Sequence, residues 1–136
     1  MGTEETRALV TDLWTALGKG DGDRLMEILH PEVVWVLPRS APDASEFVGA
    51  ETVAAQLGGD TPKRVFDMRT FRPSIRQIIA DDDTAVVLLN IQATTKAGND
   101  YDNEYVWVYT VDAGRITRIV EHADTLVAAR AMGWDL

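Results

Sequence analysis

The carboxyl group of Glu121 and the aromatic residues of the preceding segment are the parts of this sequence that could do chemistry together. Tyr105, Trp107 and Tyr109 alternate along one stretch, a turn follows at residues 112–114, and Glu121 lies on the return stretch. A carboxyl group beside aromatic rings is removed from water, which disfavours its charged form and raises its pKa. Such a group can donate or accept a proton near neutral pH, so the hairpin predicts a site for general acid or base chemistry.

The register of this hairpin depends on the length of its turn. A three-residue loop that ends at Gly114 pairs Val111 with Arg115 and Tyr105 with Glu121, because glycine adopts the required left-handed conformation at least cost. Side chains alternate along a strand, so Glu121 then shares a face with the rings. A two-residue loop would shift the pairing by one and separate Glu121 from them. The other face is expected to hold Val106, Val108, Ile116, Val120 and His122.

The elements that must position this hairpin read as helices followed by strands. Apolar residues recur at helical spacing in residues 4–18, a second short helix follows Asp21 or Asp23, and a third runs from about 50 to 57. The β-branched and aromatic content predicts strands at 33–37, 65–79, 84–95, 101–111 and 115–123. Asp124 would cap a final helix that Gly133 ends. The order indicates one α+β domain, residues 1–136, with helices on one face of a curved antiparallel sheet.

Charge and composition exclude several classes of function. The chain of 136 residues has a formal net charge of −9, which argues against nucleic acid and anionic membranes as partners because both need a basic surface. It has no cysteine and two histidines, so neither a disulfide framework nor metal-ligand spacing is present, and no cofactor is expected. No segment approaches the roughly 20 apolar residues that span a bilayer, and no basic and apolar leader opens the sequence. A cytoplasmic protein is therefore expected.

Two stretches resemble the nuclear-transport-factor-like cone fold. Residues 16–21 (ALGKGD) and 30–35 (HPEVVW) are similar to its first helices and first strand. Residues 101–109 (YDNEYVWVY), 112–117 (DAGRIT), 121–124 (EHAD) and 131–133 (AMG) are similar to the end of the SnoaL-like polyketide cyclases. The resemblance implies a cone-shaped antiparallel sheet whose concave face is covered by three N-terminal helices, with a short C-terminal helix. It does not imply one activity, because this fold carries isomerases, cyclases, epoxide hydrolases, dehydratases and proteins without catalysis.

Catalytic positions of these families fall on particular residues here. The proton-shuttling aspartate of the ketosteroid isomerases falls on Leu37, and their oxyanion-stabilising aspartic acid falls on Trp107. The positions of the limonene epoxide hydrolase set hold Asn90, Leu88 and Glu121. The catalytic aspartate of the SnoaL-like cyclases also falls on Glu121, and their histidine position falls on Trp107. The resemblance therefore implies that Glu121 is the one catalytic acid retained.

The expected site contains a small apolar cyclic ligand that carries an oxygen atom. Glu121 and Tyr105 are the candidate catalytic residues. Leu37 and Leu88 are expected to line the pocket. Its flat apolar walls would be formed by Trp14, Trp35 and Trp107. Asn90 and Asn103 would supply polar contacts. The expected activity is cyclisation, isomerisation, hydration or dehydration, and the alternative is a non-catalytic ligand-binding or dimerisation domain.

Each candidate also has a plainer interpretation. Glu121 could be a solvated carboxylate paired with Arg115 or Arg118, and the aromatic side chains could be core residues. His122 would replace Glu121 as the acid or base if the register slipped. The face that carries the valines is too apolar for solvent, so we expect a homodimer through the convex face of the sheet.

Overall fold

The structure, a computed structural model, describes residues 1–42 and 45–135. The helices are α1 (Thr3–Lys19), α2 (Gly22–Ile28), α3 (Ala50–Ala55), α4 (Thr61–Val65) and α5 (Thr125–Met132). The strands are β1 (Leu29–Val36), β2 (Glu46–Val48), β3 (Phe66–Asp81), β4 (Thr84–Thr95), β5 (Asp100–Asp112) and β6 (Arg115–Ala123). The predicted α+β class is confirmed. Within the described ranges, none of the helices combines the length and apolar character needed to cross a membrane.

One curved, open sheet carries all these strands in the order β2-β1-β6-β5-β4-β3. Strands β3 to β6 form an antiparallel meander, as the turn signals predict. The prediction of a wholly antiparallel sheet is wrong at one place, because β1 runs parallel to β6. A parallel neighbour follows from the topology, since the helices and the meander separate these two strands in sequence.

The segment after β2 differs from the predicted single helix over 50–57. Helix α3 ends at Ala55 and continues through a π-helical turn (Gln56–Asp60) into α4. Gly59 has a φ of 135°, a conformation that glycine adopts readily, and it forms the kink. Pro62 begins a helix rather than ending one, because the first helical turn has no N–H bond for proline to remove. This segment forms one wall of the cavity described below.

The final helix follows the prediction. The Asp124 side chain accepts hydrogen bonds from the backbone N–H groups of Leu126 and Val127 at 3.1 and 3.2 Å. Gly133 ends α5 in the left-handed conformation, with a φ of 75°. The helix lies against β5 and closes one end of the concave face.

The hairpin between β5 and β6 corrects the predicted register. Its loop has two residues, Ala113 and Gly114, both with positive φ (49° and 79°), as a tight mirror-image turn requires. Asp112 therefore pairs with Arg115, and this loop alone would turn Glu121 away from the rings. A bulge at Thr117 adds one residue to β6 and returns Glu121 to the face that carries the rings.

The combined effect of the turn and the bulge is a shift of two residues from the predicted pairing. Glu121 pairs with Trp107, whereas Tyr105 pairs with Ala123. The two-residue turn, rather than the bulge beyond it, places Ile116 in the core, where it is fully buried, and not on the valine face. His122 lies on the opposite face from Glu121, as expected, and is exposed.

Candidate active site

A cavity of about 790 Å³ lies between the concave face of the sheet and the helices. Its inner end is formed by aromatic residues of α1, β1 and β5, and its sides by the kinked segment, β3 and α5. The lining residues that reach solvent include Arg64 and Met68, so the cavity opens near the junction of α4 and β3. A space of this size accommodates a small organic molecule.

Aromatic rings surround the carboxylate-bearing wall of this cavity. Trp107, the cross-strand neighbour of Glu121, has its ring centroid 5.5 Å from that of Trp14 and 5.4 Å from that of Trp35. Phe47 lies beyond Trp35, with ring centroids 5.3 Å apart. Every second residue of β5 from Tyr101 to Val111 is buried, which is why the strand presents its rings to one side. The three tryptophans predicted as walls all line the cavity, together with Leu37.

Glu121 lies in this apolar surrounding, and no described residue forms an ion pair with it. Burial raises the pKa of Glu121 to about 8, and the nearby indole N–H of Trp35 offsets part of the rise. That N–H stops short of a full hydrogen bond, because its nitrogen is buried without a partner. Among the described residues, neither Arg115 nor Arg118 forms an ion pair with Glu121. Glu121 keeps some accessible surface because it lines the cavity, and at neutral pH the neutral acid predominates there.

Tyr105 lies on the same wall, one diagonal step from Glu121 in the register. Its hydroxyl group forms a hydrogen bond with the hydroxyl group of Tyr101. Burial raises the pKa of Tyr105 far above its ordinary value, so its hydroxyl group stays protonated at any physiological pH. The predicted register puts Tyr105 directly opposite Glu121, whereas the observed register makes it a diagonal neighbour.

Asn103 does not reach the cavity, which corrects its predicted role as a direct polar contact. It is 2% exposed, and its amide nitrogen donates to the hydroxyl oxygen of Tyr101 at 2.8 Å and to the carbonyl oxygen of Asp124 at 3.0 Å. Asn103 lies between the two tyrosines along β5, behind the cavity wall. Its connection to the cavity wall is through Tyr101, which is bonded to Tyr105.

Leu88 and Asn90 were predicted in the pocket and lie on the other face of the sheet. Leu88 pairs with Val106, and the amide nitrogen of Asn90 donates to Asp102 at 2.9 Å. The concave face of β4 instead carries the alternate residues, and Ile91 is the one that lines the cavity. A displacement of one residue along a strand exchanges the two faces, so both predictions fail together.

Several cavity residues carry no recognisable signal in the sequence. They come from β2, the kinked segment, β3 and the chain from α5 onward, and they are Phe47, Leu57, Phe66, Phe71, Met132 and Trp134. Isolated aromatic and apolar residues of this kind read as ordinary core. Only the tertiary arrangement brings them to one cavity.

A model of the family described as SnoaL-like domain matches residues 10–119. The chain belongs to the SnoaL-like domain family. The uncharacterized protein Rv0034 of Mycobacterium tuberculosis is 28% identical over 113 residues, which cover 83% of this chain and 84% of that protein.

Solved structures share the fold of this SnoaL-like domain. An NTF2-like protein from Burkholderia xenovorans superimposes with a TM-score of 0.80 and 26% identity, covering 97% of this chain and 98% of that one. An LEH-like epoxide hydrolase from M. tuberculosis gives a TM-score of 0.70 and 22% identity, covering 96% and 90% of the two chains. These likenesses confirm the cone fold and do not assign an activity.

The raised pKa of Glu121 predicts a pH-dependent contribution to stability. Because the folded protein holds this proton more tightly than the unfolded chain, the contribution is complete below pH 4.5 and is lost as pH rises to about 8. The slope is at most about 1.4 kcal/mol per pH unit. Glu121→Gln keeps the shape of the side chain without its charge. Its free energy of unfolding should therefore rise relative to that of the wild type as pH rises.

Urea unfolding of both proteins at pH values inside and above this window measures the difference. Glu51→Gln, which removes an exposed carboxylate in the first turn of α3, is the matched control and should run parallel to the wild type. A difference between Glu121→Gln and wild type that stays constant with pH would contradict the burial of an acid at this position.

Proposed function

We propose that this protein is a cofactor-independent enzyme in which Glu121 acts as a general acid or base on a small, apolar, ring-bearing molecule. The observation that supports it is a single carboxyl group held at the aromatic wall of a cavity of about 790 Å³. The reactions that fit are cyclisation, isomerisation, hydration and dehydration. Each of them needs a proton delivered to, or removed from, an atom of the ligand.

The protonated form of Glu121 would begin such a cycle as an acid. Its proton passes to a carbonyl, epoxide or hydroxyl oxygen of the ligand as negative charge develops on that oxygen. The resulting carboxylate then takes a proton from a carbon of the ligand, from a ligand hydroxyl group or from water, which returns the enzyme to its starting state. A positioned acid of this kind contributes about 10²-fold to 10⁴-fold in rate, which is about 3 to 5 kcal/mol of the barrier.

The other residues at the cavity wall would work without charge. Tyr105 would donate to a ligand oxygen, and the rings of Trp14, Trp35 and Trp107 would exclude water and hold flat apolar groups. The positions that carry aspartates in ketosteroid isomerases hold Leu37 and Trp107 here, so a two-carboxylate mechanism has no second group. This protein would therefore work with one carboxyl group in an apolar site.

A non-catalytic ligand-binding protein is the second candidate, and one observation favours it. Among the described residues that line the cavity, Glu121 and Arg64 are the ones with a formally charged side chain, and Arg64 is exposed. A cavity so poor in charge would also suit simple retention of an apolar molecule. Turnover distinguishes the two candidates, because both predict binding.

Turnover should fall about 10²-fold or more in Glu121→Gln, because the amide cannot exchange the proton. The test screens a panel of cyclic ketones, enones and epoxides by mass spectrometry and then compares wild type with the variant on the molecule that reacts. Leu37→Val, a small change in the same cavity, is the control for altered packing. Equal rates in Glu121→Gln and wild type, with the variant folded, would remove Glu121 from the mechanism.

We also propose that two copies of the chain associate through the convex face of the sheet. A row of apolar residues crosses five neighbouring strands there, in the direct pairings Ile79 with Val86, Val86 with Val108, Val108 with Val120 and Val120 with Val36. Within this row Ile79 is 44% exposed, and beside the row Val106 is 38% exposed. No helix of the described chain covers this face, and a second copy would remove it from water.

Val106→Lys should convert the dimer to a monomer, since it places a charge on the same face directly beside the apolar row. Sedimentation at micromolar concentration measures the change. Leu126→Lys is the matched control, because Leu126 is similarly exposed (45%) but lies on α5. A wild-type protein that sediments as a monomer would overturn this assembly.

A further inference from the structure

The hydrogen bonds behind Tyr105 run in one direction, and that direction begins at Asn103. The amide nitrogen of Asn103 is bonded both to the carbonyl oxygen of Asp124 and to the hydroxyl oxygen of Tyr101. A backbone carbonyl can only accept, so the group of Asn103 that faces Asp124 must be the NH₂. The orientation of the amide is therefore fixed by chemistry, and Tyr101 must accept from it.

Tyr101 can then place its own proton in one position. Its hydroxyl group is buried and has two partners among the described residues, namely Asn103 and Tyr105. Since Asn103 donates to it, the Tyr101 proton has only the oxygen of Tyr105 to reach. In the reverse arrangement, Tyr105 would donate to Tyr101 and leave the Tyr101 proton buried without an acceptor, which is unfavourable.

The outcome of this chain is a free donor at the cavity wall. Tyr105 accepts from Tyr101, so its own O–H has no partner among the described residues, and Tyr105 lines the cavity. Cooperative polarisation along such a chain strengthens the terminal donor. Around it, the indole N–H groups of Trp35 and Trp107 are also buried without acceptors. The carboxyl group of Glu121 on this wall can accept whether it is ionised or neutral, but among the described residues no hydrogen bond joins it to Tyr105, so the Tyr105 donor is left for a ligand.

We propose that the ligand is an apolar cyclic ketone, or a compound with an equivalent acceptor oxygen, whose oxygen accepts from Tyr105, and that Asn103 is the positioning residue that directs this donor. The inference rests on the proposed function, because it names the substrate class for the same cavity. It also gives Asn103 a role that its distance from the cavity would otherwise hide. Molecules of the same shape without an acceptor oxygen should bind more weakly.

The test compares two probes of nearly equal shape, α-tetralone and tetralin, which differ by one carbonyl oxygen. Ligand-observed NMR titration gives the two dissociation constants, and their ratio measures recognition of the oxygen. We expect wild type to prefer α-tetralone by about fivefold or more, the value of one hydrogen bond to a buried donor. Tyr105→Phe should bring the ratio close to one while leaving the affinity for tetralin unchanged.

Asn103→Asp separates a positioning role from a structural one, because it replaces the donor that faces Tyr101 with a carboxyl oxygen that can accept. If Asn103 directs the donor, the Tyr101 proton turns to this oxygen in the variant and Tyr105 donates to Tyr101, so the ratio falls towards that of Tyr105→Phe. If Asn103 only supports the fold, both affinities fall together and the ratio stays at the wild-type value, which would overturn its assignment. Tyr101→Phe covers the case in which Asn103→Asp does not fold. In Tyr101→Phe, a preference for α-tetralone at or below that of wild type supports donation from Tyr101 to Tyr105. A preference above that of wild type overturns this direction, because it means that Tyr101 had been occupying the Tyr105 proton.

The wild-type result also separates this inference from the proposed function. Equal binding of the two probes overturns recognition of an acceptor oxygen and leaves an apolar binding cavity intact. A preference that survives in Tyr105→Phe assigns the oxygen to another donor and likewise overturns the inference. If neither probe binds, the cavity does not take small apolar molecules, and both the proposed function and this inference are contradicted.

Discussion

The pairing of β5 with β6 is the constraint on which the site depends. The two-residue turn at Ala113 and Gly114 sets one register at the tip of the hairpin, and the bulge at Thr117 sets another beyond it. The hydroxyl group of Thr117 donates to the carbonyl oxygen of Thr110 at 3.2 Å, which ties the extra residue to the neighbouring strand. With the turn alone, the buried Ile116 and the cavity residue Glu121 could not both face the concave side.

Burial of a carboxyl group beside Trp107 has a cost that the fold must offset. An ionised carboxylate in an apolar site is strongly unfavourable, so the group holds its proton to higher pH instead. The surrounding rings supply the stabilising contacts, because aromatic pairs such as Trp14 and Trp107 contribute by packing as well as by area. The same apolar wall thus keeps the domain folded and keeps Glu121 in the protonated state that acid chemistry needs.

The sequence was sufficient for the order of the elements and for the face on which Glu121 lies. Strand β5 alternates between buried and exposed residues, and such a pattern can be read directly. Strand β4 is apolar on both faces from Val86 to Leu89, so no alternation shows which face Leu88 and Asn90 occupy. The role of Asn103 could not be predicted for a different reason. It depends on the carbonyl group of Asp124, which comes near Asn103 only because the chain turns into α5.

Titration of Glu121 itself decides whether this residue is a neutral acid at physiological pH. Carbon-13 labelling of glutamate carboxyl groups, with Glu121→Gln to assign the signal, gives the midpoint by NMR. We expect a midpoint of about 8, because burial raises the pKa of this carboxyl group. A midpoint of about 4.3, the pKa of an unperturbed glutamate, would contradict a buried, neutral Glu121.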